Sequence, residues 1–183
     1  IGYLCDKFGI ENMLVTGTND KKASHAWNII KVNGQWYNFD STFDDPVGNF
    51  SPDFIRYNYF LVTDDEILNK SHFIDNQFYS APKCTAKEAN YQRTYKLYAD
   101  SKDSALSLIK SEMKKAADSK KKYIQIKVSS ETILNDINKE LVTNKKITAY
   151  ANEISGSAKN KFTITSAPMM DKNTLTYLIT LNY

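Results

Sequence analysis

Residues 25–42 read His-Ala-Trp-Asn-Ile-Ile-Lys-Val-Asn-Gly-Gln-Trp-Tyr-Asn-Phe-Asp-Ser-Thr. The dipeptide Asn33-Gly34 separates two runs that are rich in aromatic and β-branched residues. Asn-Gly is the pair that most strongly favours a two-residue β-turn. The sequence therefore predicts an antiparallel hairpin with strands at residues 25–32 and 35–42.

The register of this hairpin predicts a contact between a histidine and a carboxylate. With a two-residue turn, Trp27 pairs with Asp40, and His25 lies diagonally from Asp40 on the same face because side chains alternate between the two faces of a strand. Diagonal neighbours lie about 7–8 Å apart at Cα, within reach of a hydrogen bond between a carboxylate and an imidazole. The same face carries four further side chains, Ile29, Trp36, Asn38 and Thr42.

The segments on either side of the hairpin have the patterns of short helices and strands. Residues 1–8 are typical of the last turns of a helix, which Gly9 ends, and residues 11–17 contain the short apolar run of a strand. After the hairpin, an aromatic run at residues 57–62 precedes Asp64, where consecutive acidic residues indicate the start of a short helix.

The charge of the chain changes sign near residue 90. Residues 1–90 contain 8 Lys and Arg against 12 Asp and Glu, and residues 91–183 contain 16 against 9, so the two parts carry −4 and +7, which gives the net charge of +3. The change indicates two units with a boundary at the polar residues 87–90. We therefore predict domains at residues 1–88 and 91–183.

The second predicted domain alternates between strand and helix patterns. Its apolar spacing predicts the order β-α-β-α-β-β-β, a small α/β domain in which no motif indicates a function. The last three predicted strands lie near residues 147–151, 162–165 and 175–181. No stretch of the sequence is long and apolar enough to predict a membrane span.

A histidine held by an aspartate supplies two parts of a thiol-activating triad. The carboxylate fixes the imidazole tautomer, and the imidazole keeps a nearby cysteine as the thiolate. Judged by spacing alone, a structural role for His25 and Asp40 is the more common outcome. The sequence motifs around His25 and Asp40 favour the catalytic role over the structural one.

Several short motifs resemble the bacterial transglutaminase-like family of the cysteine-protease-like superfamily. In chain order they are Val15-Thr16-Gly17, His25-Ala26-Trp27-Asn28, Asn33-Gly34-Gln35-Trp36-Tyr37-Asn38 with Asp40, Asp44-Asp45-Pro46 and, more weakly, Tyr59-Phe60-Leu61-Val62-Thr63-Asp64. The resemblance covers about residues 1–85, as one domain should. It implies an α+β fold, namely a truncated transglutaminase-like or papain-like core with an antiparallel sheet, in which His25 and Asp40 are catalytic.

Two departures from the family pattern concern Phe43 and the nucleophile. Family members commonly have Trp at the position of Phe43, which is a mild aromatic exchange. The family cysteine begins the helix that ends at Gly9, where the helix dipole would lower its pKa, and alignment on Gly9 places it about seven residues before Ile1. We therefore expect that this chain by itself is inactive.

The two cysteines of the chain are expected to be buried thiols. Cys5 lies near the end of its helix, away from the N-terminal dipole, and the resemblance gives Cys84 no catalytic counterpart. The sequence also allows a single disulfide between Cys5 and Cys84. Their spacing does not predict a metal site, and we expect no metal and no cofactor.

Three further groups of residues have a functional and a structural interpretation. Trp27 and Trp36 either wall a substrate cleft or belong to the core. The acidic residues 44–45, followed by a proline, favour a turn over a cation site shared with Asp40. We interpret His72 as a surface or helix-end histidine.

The basic residues of the second domain, Lys114, Lys115 and Lys120 to Lys122, are expected to form a solvated helix face. No aromatic platform or nucleic-acid motif accompanies them, so we expect no nucleic-acid partner.

Two functions of different classes follow. The first is a transglutaminase-like thiol enzyme that hydrolyses or transfers an amide of a peptide or protein substrate, with His25 as the general acid/base and Asp40 as its orienting carboxylate. The second is a non-catalytic binding module that holds a peptide or wall component in the aromatic cleft. A cysteine at the start of the helix that ends at Gly9 would favour the enzyme, and its absence would favour the binding module. The resemblance suggests an exported bacterial protein, outside the cell or in its envelope.

Overall fold

The computed structural model describes residues 1–45, 54–75 and 80–183. The chain is α+β, as expected, and forms two compact units, Ile1–Tyr95 (unit 1) and Lys96–Tyr183 (unit 2). Unit 1 extends beyond the expected boundary because the short helix after residue 90 packs on it. The ring of Tyr91 stacks on that of Tyr57 at 3.6 Å, and Gln92 Nε2 donates to the carbonyl oxygen of Tyr57 at 3.2 Å.

Unit 1 is built on a five-stranded antiparallel sheet with the strand order β4-β3-β2-β1-β5. Its elements in chain order are α1 (Gly2–Lys7), β1 (Asn12–Asn19), β2 (Ser24–Val32), β3 (Gln35–Phe39), α2 (Ser41–Asp44), β4 (Phe60–Val62), α3 (Asp64–Ile67), β5 (His72–Ile74) and α4 (Tyr91–Thr94). The predicted helices at α1 and α3 and the predicted strand at β1 are confirmed.

The hairpin of β2 and β3 has the predicted two-residue turn. Asn33 and Gly34 have φ values of 50° and 78°, the pair of positive angles that a type I′ turn requires. The register is also confirmed, since Lys31 pairs with Trp36 and Asn28 with Phe39. The second strand is shorter than predicted because Asp40 leaves the ladder and caps the helix α2.

Apolar side chains cover both faces of this sheet. One face carries the cluster of Val15, Trp27, Ile29, Tyr59, Val62, Ile67 and Cys84, with Trp36 partly buried against it. The other face packs Cys5 of α1 on Ile30, Tyr37 and Leu61. The alternation predicted for the hairpin therefore sorts its residues between two separate apolar clusters.

The strand β5 approaches β1 closely at Gly17. This residue pairs with His25 on one side and with Ile74 on the other, and an added Cβ would lie 2.0 Å from the carbonyl oxygen of Phe73. A backbone oxygen cannot rotate away, so we expect Gly17→Ala to lower the free energy of unfolding by about 2 kcal/mol or more, measured by urea denaturation.

Gly2→Ala is the control for that substitution. Its Cβ would meet only the side-chain ends of Asn12 and Asn28, at 3.1 and 3.3 Å, which can move. Equal losses of stability in the two variants would show that the approach of β5 to Gly17 is not the cause.

Unit 2 contains a four-stranded sheet with the order β6-β7-β9-β8, in which β6 and β7 are parallel and the other pairs are antiparallel. Its elements are β6 (Tyr98–Ala99), α5 (Lys102–Ser119), β7 (Tyr123–Val128), α6 (Glu131–Asn138), a π-helical segment (Lys139–Thr143), α7 (Lys146–Ser155), β8 (Met169–Asp171) and β9 (Thr176–Thr180). Ile109 and Met113 of α5 and Leu134 of α6 belong to its buried core.

One predicted strand of unit 2 is wrong. Residues 147–151 lie within α7, whose buried side chains Ile147, Ala151 and Ile154 follow the helical spacing of four and three residues. The predicted strand at residues 162–165 is reduced to a single bridge between Thr163 and Asn182. The predicted strand at residues 175–181 is confirmed as β9.

No helix among the described residues combines the length and the hydrophobicity needed to cross a bilayer.

Candidate acid-base site

One carboxylate of unit 1 binds two histidines. The Oδ2 atom of Asp40 accepts a hydrogen bond from Nε2 of His25 and lies 2.8 Å from Nε2 of His72. The side chains of His25, Asp40 and His72 are 10%, 1% and 0% exposed. The predicted contact between His25 and Asp40 is confirmed, and it lies at the edge of the core with only His25 reaching the surface.

Asp40 is positioned by the junction between β3 and α2. Its backbone is extended and its Oδ1 atom accepts hydrogen bonds from the backbone N–H groups of Thr42 at 2.8 Å and Phe43 at 3.1 Å, which makes it the N-cap of α2. The two carboxylate oxygens therefore have separate tasks. Oδ1 fixes the side chain to the backbone, and Oδ2 orders the two imidazoles.

The interpretation of His72 as a surface residue is wrong. His72 begins β5, is fully buried, and has its Nδ1 atom 2.8 Å from Oγ of Ser71. The sequence signal was weak because β5 has only three residues, too few to show alternation. The available hint was the apolar Phe73-Ile74 pair directly after the histidine, which is typical of a strand.

The carboxylate of Asp40 defines the tautomers of both rings. Burial alone would raise the pKa of Asp40, but the hydrogen bonds from His72, His25 and the Phe43 backbone outweigh it and hold the pKa below its ordinary value of 3.8. The ionised carboxylate accepts hydrogen bonds only, so both Nε2 atoms must carry the proton. Ser71 then donates to Nδ1 of His72. Within the described part of the chain, Nδ1 of His25 has no hydrogen-bond partner and remains a proton acceptor.

Aromatic rings enclose the two histidines. Trp27 lies under His25 with nearly parallel rings at 6.0 Å and meets His72 edge-on at 4.8 Å. Phe43 lies 4.8 Å from each imidazole, and Tyr59 lies 5.6 Å from His72. These rings keep water from the carboxylate and strengthen its hydrogen bonds.

The two tryptophans predicted at the site have different environments. Trp27 is 1% exposed and its Nε1 atom donates to Oδ1 of Asn38 at 3.0 Å, while Nδ2 of Asn38 donates to Oδ1 of Asp64 at 2.8 Å. These contacts favour the core interpretation for Trp27, as a support beneath the histidines. Trp36 is partly exposed, with the ammonium group of Lys31 5.5 Å from the centre of its ring.

His25 borders an open groove of about 720 Å³ beside the strands β1, β2 and β5. The groove is lined by Thr16 to Thr18, Ser24 to Ala26 and Phe73 to Asp75. His25 is among the residues that line the groove, and His72 is not. The volume is in the range of small-molecule and peptide side-chain pockets.

Neither cysteine of the chain belongs to this site. Both are free, buried thiols. Cys5 lies in the cluster on the opposite face of the sheet. Burial and the carboxylate of Asp64 raise the pKa of the Cys84 thiol far above its usual range, which is the reverse of what a nucleophile needs.

Asp44, which we expected in a turn, is the last residue of α2 and is buried. Its Oδ1 atom accepts a hydrogen bond from the backbone N–H of Tyr59 at 2.9 Å, and no described residue is a partner of its Oδ2 atom. Burial therefore raises the pKa of Asp44 to about 8. The proline that follows the acidic pair, Pro46, lies outside the described residues.

This raised pKa predicts a loss of stability as the pH rises. The unfolded chain releases the Asp44 proton near pH 4 and the folded chain holds it until about pH 8, so the free energy of unfolding should fall by up to about 1.4 kcal/mol per pH unit between these values. Asp44→Asn removes the titration and should flatten the curve from urea denaturation relative to the wild type. Asp45→Asn, at an exposed neighbour, is the control; an unchanged slope in Asp44→Asn would contradict the assignment.

Comparison with protein-family models and with curated proteins found no match for this chain.

Proposed function

We propose that unit 1 carries the acid/base half of a thiol enzyme of the transglutaminase-like type. The observation that supports this function is the hydrogen bond from Nε2 of His25 to the buried carboxylate of Asp40, at the edge of an open groove. It leaves Nδ1 of His25 as the acceptor for a thiol proton. His25 is the general acid/base, and Asp40 is its positioning residue.

The proposed chemistry is acyl transfer from an amide of a peptide or protein. Nδ1 of His25 takes the thiol proton, the thiolate attacks the amide carbonyl, and the imidazolium returns the proton to the departing amine, which leaves a thioester. Water or a second amine then attacks the thioester with His25 again as the base. Throughout, the ionised Asp40 stabilises the imidazolium that forms.

The thiol for this reaction has to come from outside the 183 residues. Cys5 lies on the wrong face of the sheet, and Cys84 is buried with a raised pKa. By the resemblance to the transglutaminase-like family, the nucleophile lies about seven residues before Ile1, at the start of the helix that includes α1. The N-terminus of a helix favours the thiolate. By the same resemblance, the protein acts outside the cell or in its envelope.

The experiment that tests this function is mass-spectrometric mapping of iodoacetamide labelling on the protein expressed with its encoded sequence N-terminal to Ile1. We expect one cysteine in that sequence to react at pH 6 much faster than Cys5 and Cys84, which are buried and serve as internal controls. An encoded sequence without such a cysteine, or one that labels as slowly as the controls, would overturn the enzyme and leave a binding module that uses the groove.

A further inference from the structure

We propose that His25, Asp40 and His72 form a binding site for a divalent transition-metal ion of the zinc class. Each residue offers one ligand atom, namely Nε2, Oδ2 and Nε2, and these atoms all lie within 4.8 Å of one another. Two imidazoles and one carboxylate are a common donor set for such ions, with a further position left for water or a substrate. The hard cations Ca²⁺ and Mg²⁺ prefer oxygen ligands and do not suit two nitrogen donors.

The three donor atoms have to change their separations to admit the ion. Ligands held 2.0–2.2 Å from a tetrahedral zinc ion lie about 3.4 Å from one another. The 2.8 Å separation between Nε2 of His72 and Oδ2 of Asp40 therefore has to lengthen by about 0.6 Å, and Nε2 of His25 has to withdraw from the carboxylate by more than that. The two Nε2 atoms, which lie within 4.8 Å of each other, have to stand about 3.4 Å apart. Of the three ligands only His25 reaches the surface, with 10% of its side chain exposed, so the ion can enter beside it.

Backbone hydrogen bonds already hold the carboxylate ligand in place. Oδ1 of Asp40 is fixed by the backbone N–H groups of Thr42 and Phe43, so Oδ2 can exchange its two imidazole hydrogen bonds for an ion without loss of the cap. Ligands of metal sites are usually held by such secondary hydrogen bonds.

Ser71 allows His72 to change its tautomer without losing a hydrogen bond. Without an ion, the hydroxyl donates to Nδ1 of His72 and Nε2 donates to Asp40. With an ion on Nε2, the ring proton moves to Nδ1 and donates to Oγ of Ser71, whose own proton can turn toward the carbonyl oxygen of Ile67, 3.5 Å away. Each imidazole keeps one proton, so binding releases none from these rings.

This inference goes beyond the proposed function, and the site itself does not depend on it. One consequence does rest on the proposed function: an ion on Nε2 of His25 moves the ring proton to Nδ1, where the thiol proton would have to go. Metal binding and acyl transfer would then exclude each other.

The test is calorimetric titration of the full chain with Zn²⁺ in a buffer that does not coordinate metals. We expect one ion per chain, with the affinity lowered by about 100-fold or more in His72→Gln and by about 10-fold in Ser71→Ala. Asp45→Asn and Cys84→Ala are controls for other carboxylates and for thiols, and both should bind as the wild type does. Binding that is absent, or equal in His72→Gln and the wild type, would overturn the site.

A second measurement on the wild type does not depend on the folding of any variant. In a long-range ¹H–¹⁵N spectrum of the 2 histidines, saturating Zn²⁺ should move the ring proton from Nε2 to Nδ1 in both. An unchanged tautomer in either ring would overturn the site, whereas the thiol-labelling experiment would be unaffected. Failure of the labelling experiment would in turn leave the metal result standing.

Discussion

Alkylation of the proposed upstream cysteine at pH 5 should be about 50-fold slower when His25 is replaced by Ala. An ordinary thiol with a pKa of about 8.5 is ionised in about one molecule in 3,000 at this pH, whereas a thiol paired with an imidazolium is fully ionised. Lowering the thiol pKa by about four units also reduces the intrinsic nucleophilicity of the thiolate by about 60-fold. The gain in ionisation, about 3,000-fold, is larger than the loss of nucleophilicity, about 60-fold. The first factor divided by the second gives the expected ratio of rates.

The same two effects predict that at higher pH the cysteine is alkylated faster in His25→Ala than in the wild type. The wild-type rate should be nearly flat between pH 5 and 8, while the rate of His25→Ala should rise about tenfold per pH unit and overtake it near pH 7. Ser24→Ala, an exposed neighbour on the same strand, is the control and should keep the flat profile. A flat profile in His25→Ala as well would show that His25 does not set the ionisation of the thiol.

Replacing Asp40 by Ala should lower the free energy of unfolding by about 3 kcal/mol at pH 7, measured by urea denaturation. The substitution removes the cap from two backbone N–H groups of α2 and the common acceptor of two imidazoles, at a position that is 1% exposed. A cap contributes about 1 kcal/mol, and a buried donor left unpaired costs about 1–3 kcal/mol.

Asp40→Asn is the matched variant, and we expect it to lose less than about 1 kcal/mol. The amide oxygen can keep the two backbone N–H groups, and the amide NH₂ can donate to both Nε2 atoms if the rings change tautomer, which Ser71 permits for His72. The proton of His25 then sits on Nδ1, so the alkylation profile should resemble that of His25→Ala despite an intact fold. Equal destabilisation by Ala and Asn would contradict the separate tasks assigned to the two carboxylate oxygens.

The hairpin and its histidine-aspartate contact could be predicted from the sequence because both depend on local rules. Asn33-Gly34 specifies a two-residue turn, and the period of two along each strand then places His25 beside Asp40. The prediction failed in one detail. Asp40 ends the strand instead of continuing it, because its carboxylate caps the helix that follows.

His72 could not be placed from the sequence because its position depends on a distant strand pairing. The strand β5 pairs with β1 across more than fifty residues, and its three residues carry no periodic signal. The contact with Asp40 also needs Gly17, which lets β5 approach β1. Tertiary pairing of this kind leaves little local trace in the sequence.

The helix α7 was predicted as a strand for a different reason. A short run that contains Ile147, Thr148 and Tyr150 has the β-branched and aromatic residues of a strand. The burial of Ile147, Ala151 and Ile154 on one side shows that tertiary packing selected the helical period instead.

The measurement that tests the central claim most directly is the tautomer of His25, from a long-range ¹H–¹⁵N spectrum of the metal-free chain at pH 8. Only 2 histidines are present, so the spectrum of His72→Gln assigns both rings. The structure predicts a proton on Nε2 of His25, held by Asp40, and an unprotonated Nδ1 that can act as the base. A proton on Nδ1 of His25 would contradict the acid/base role proposed for it.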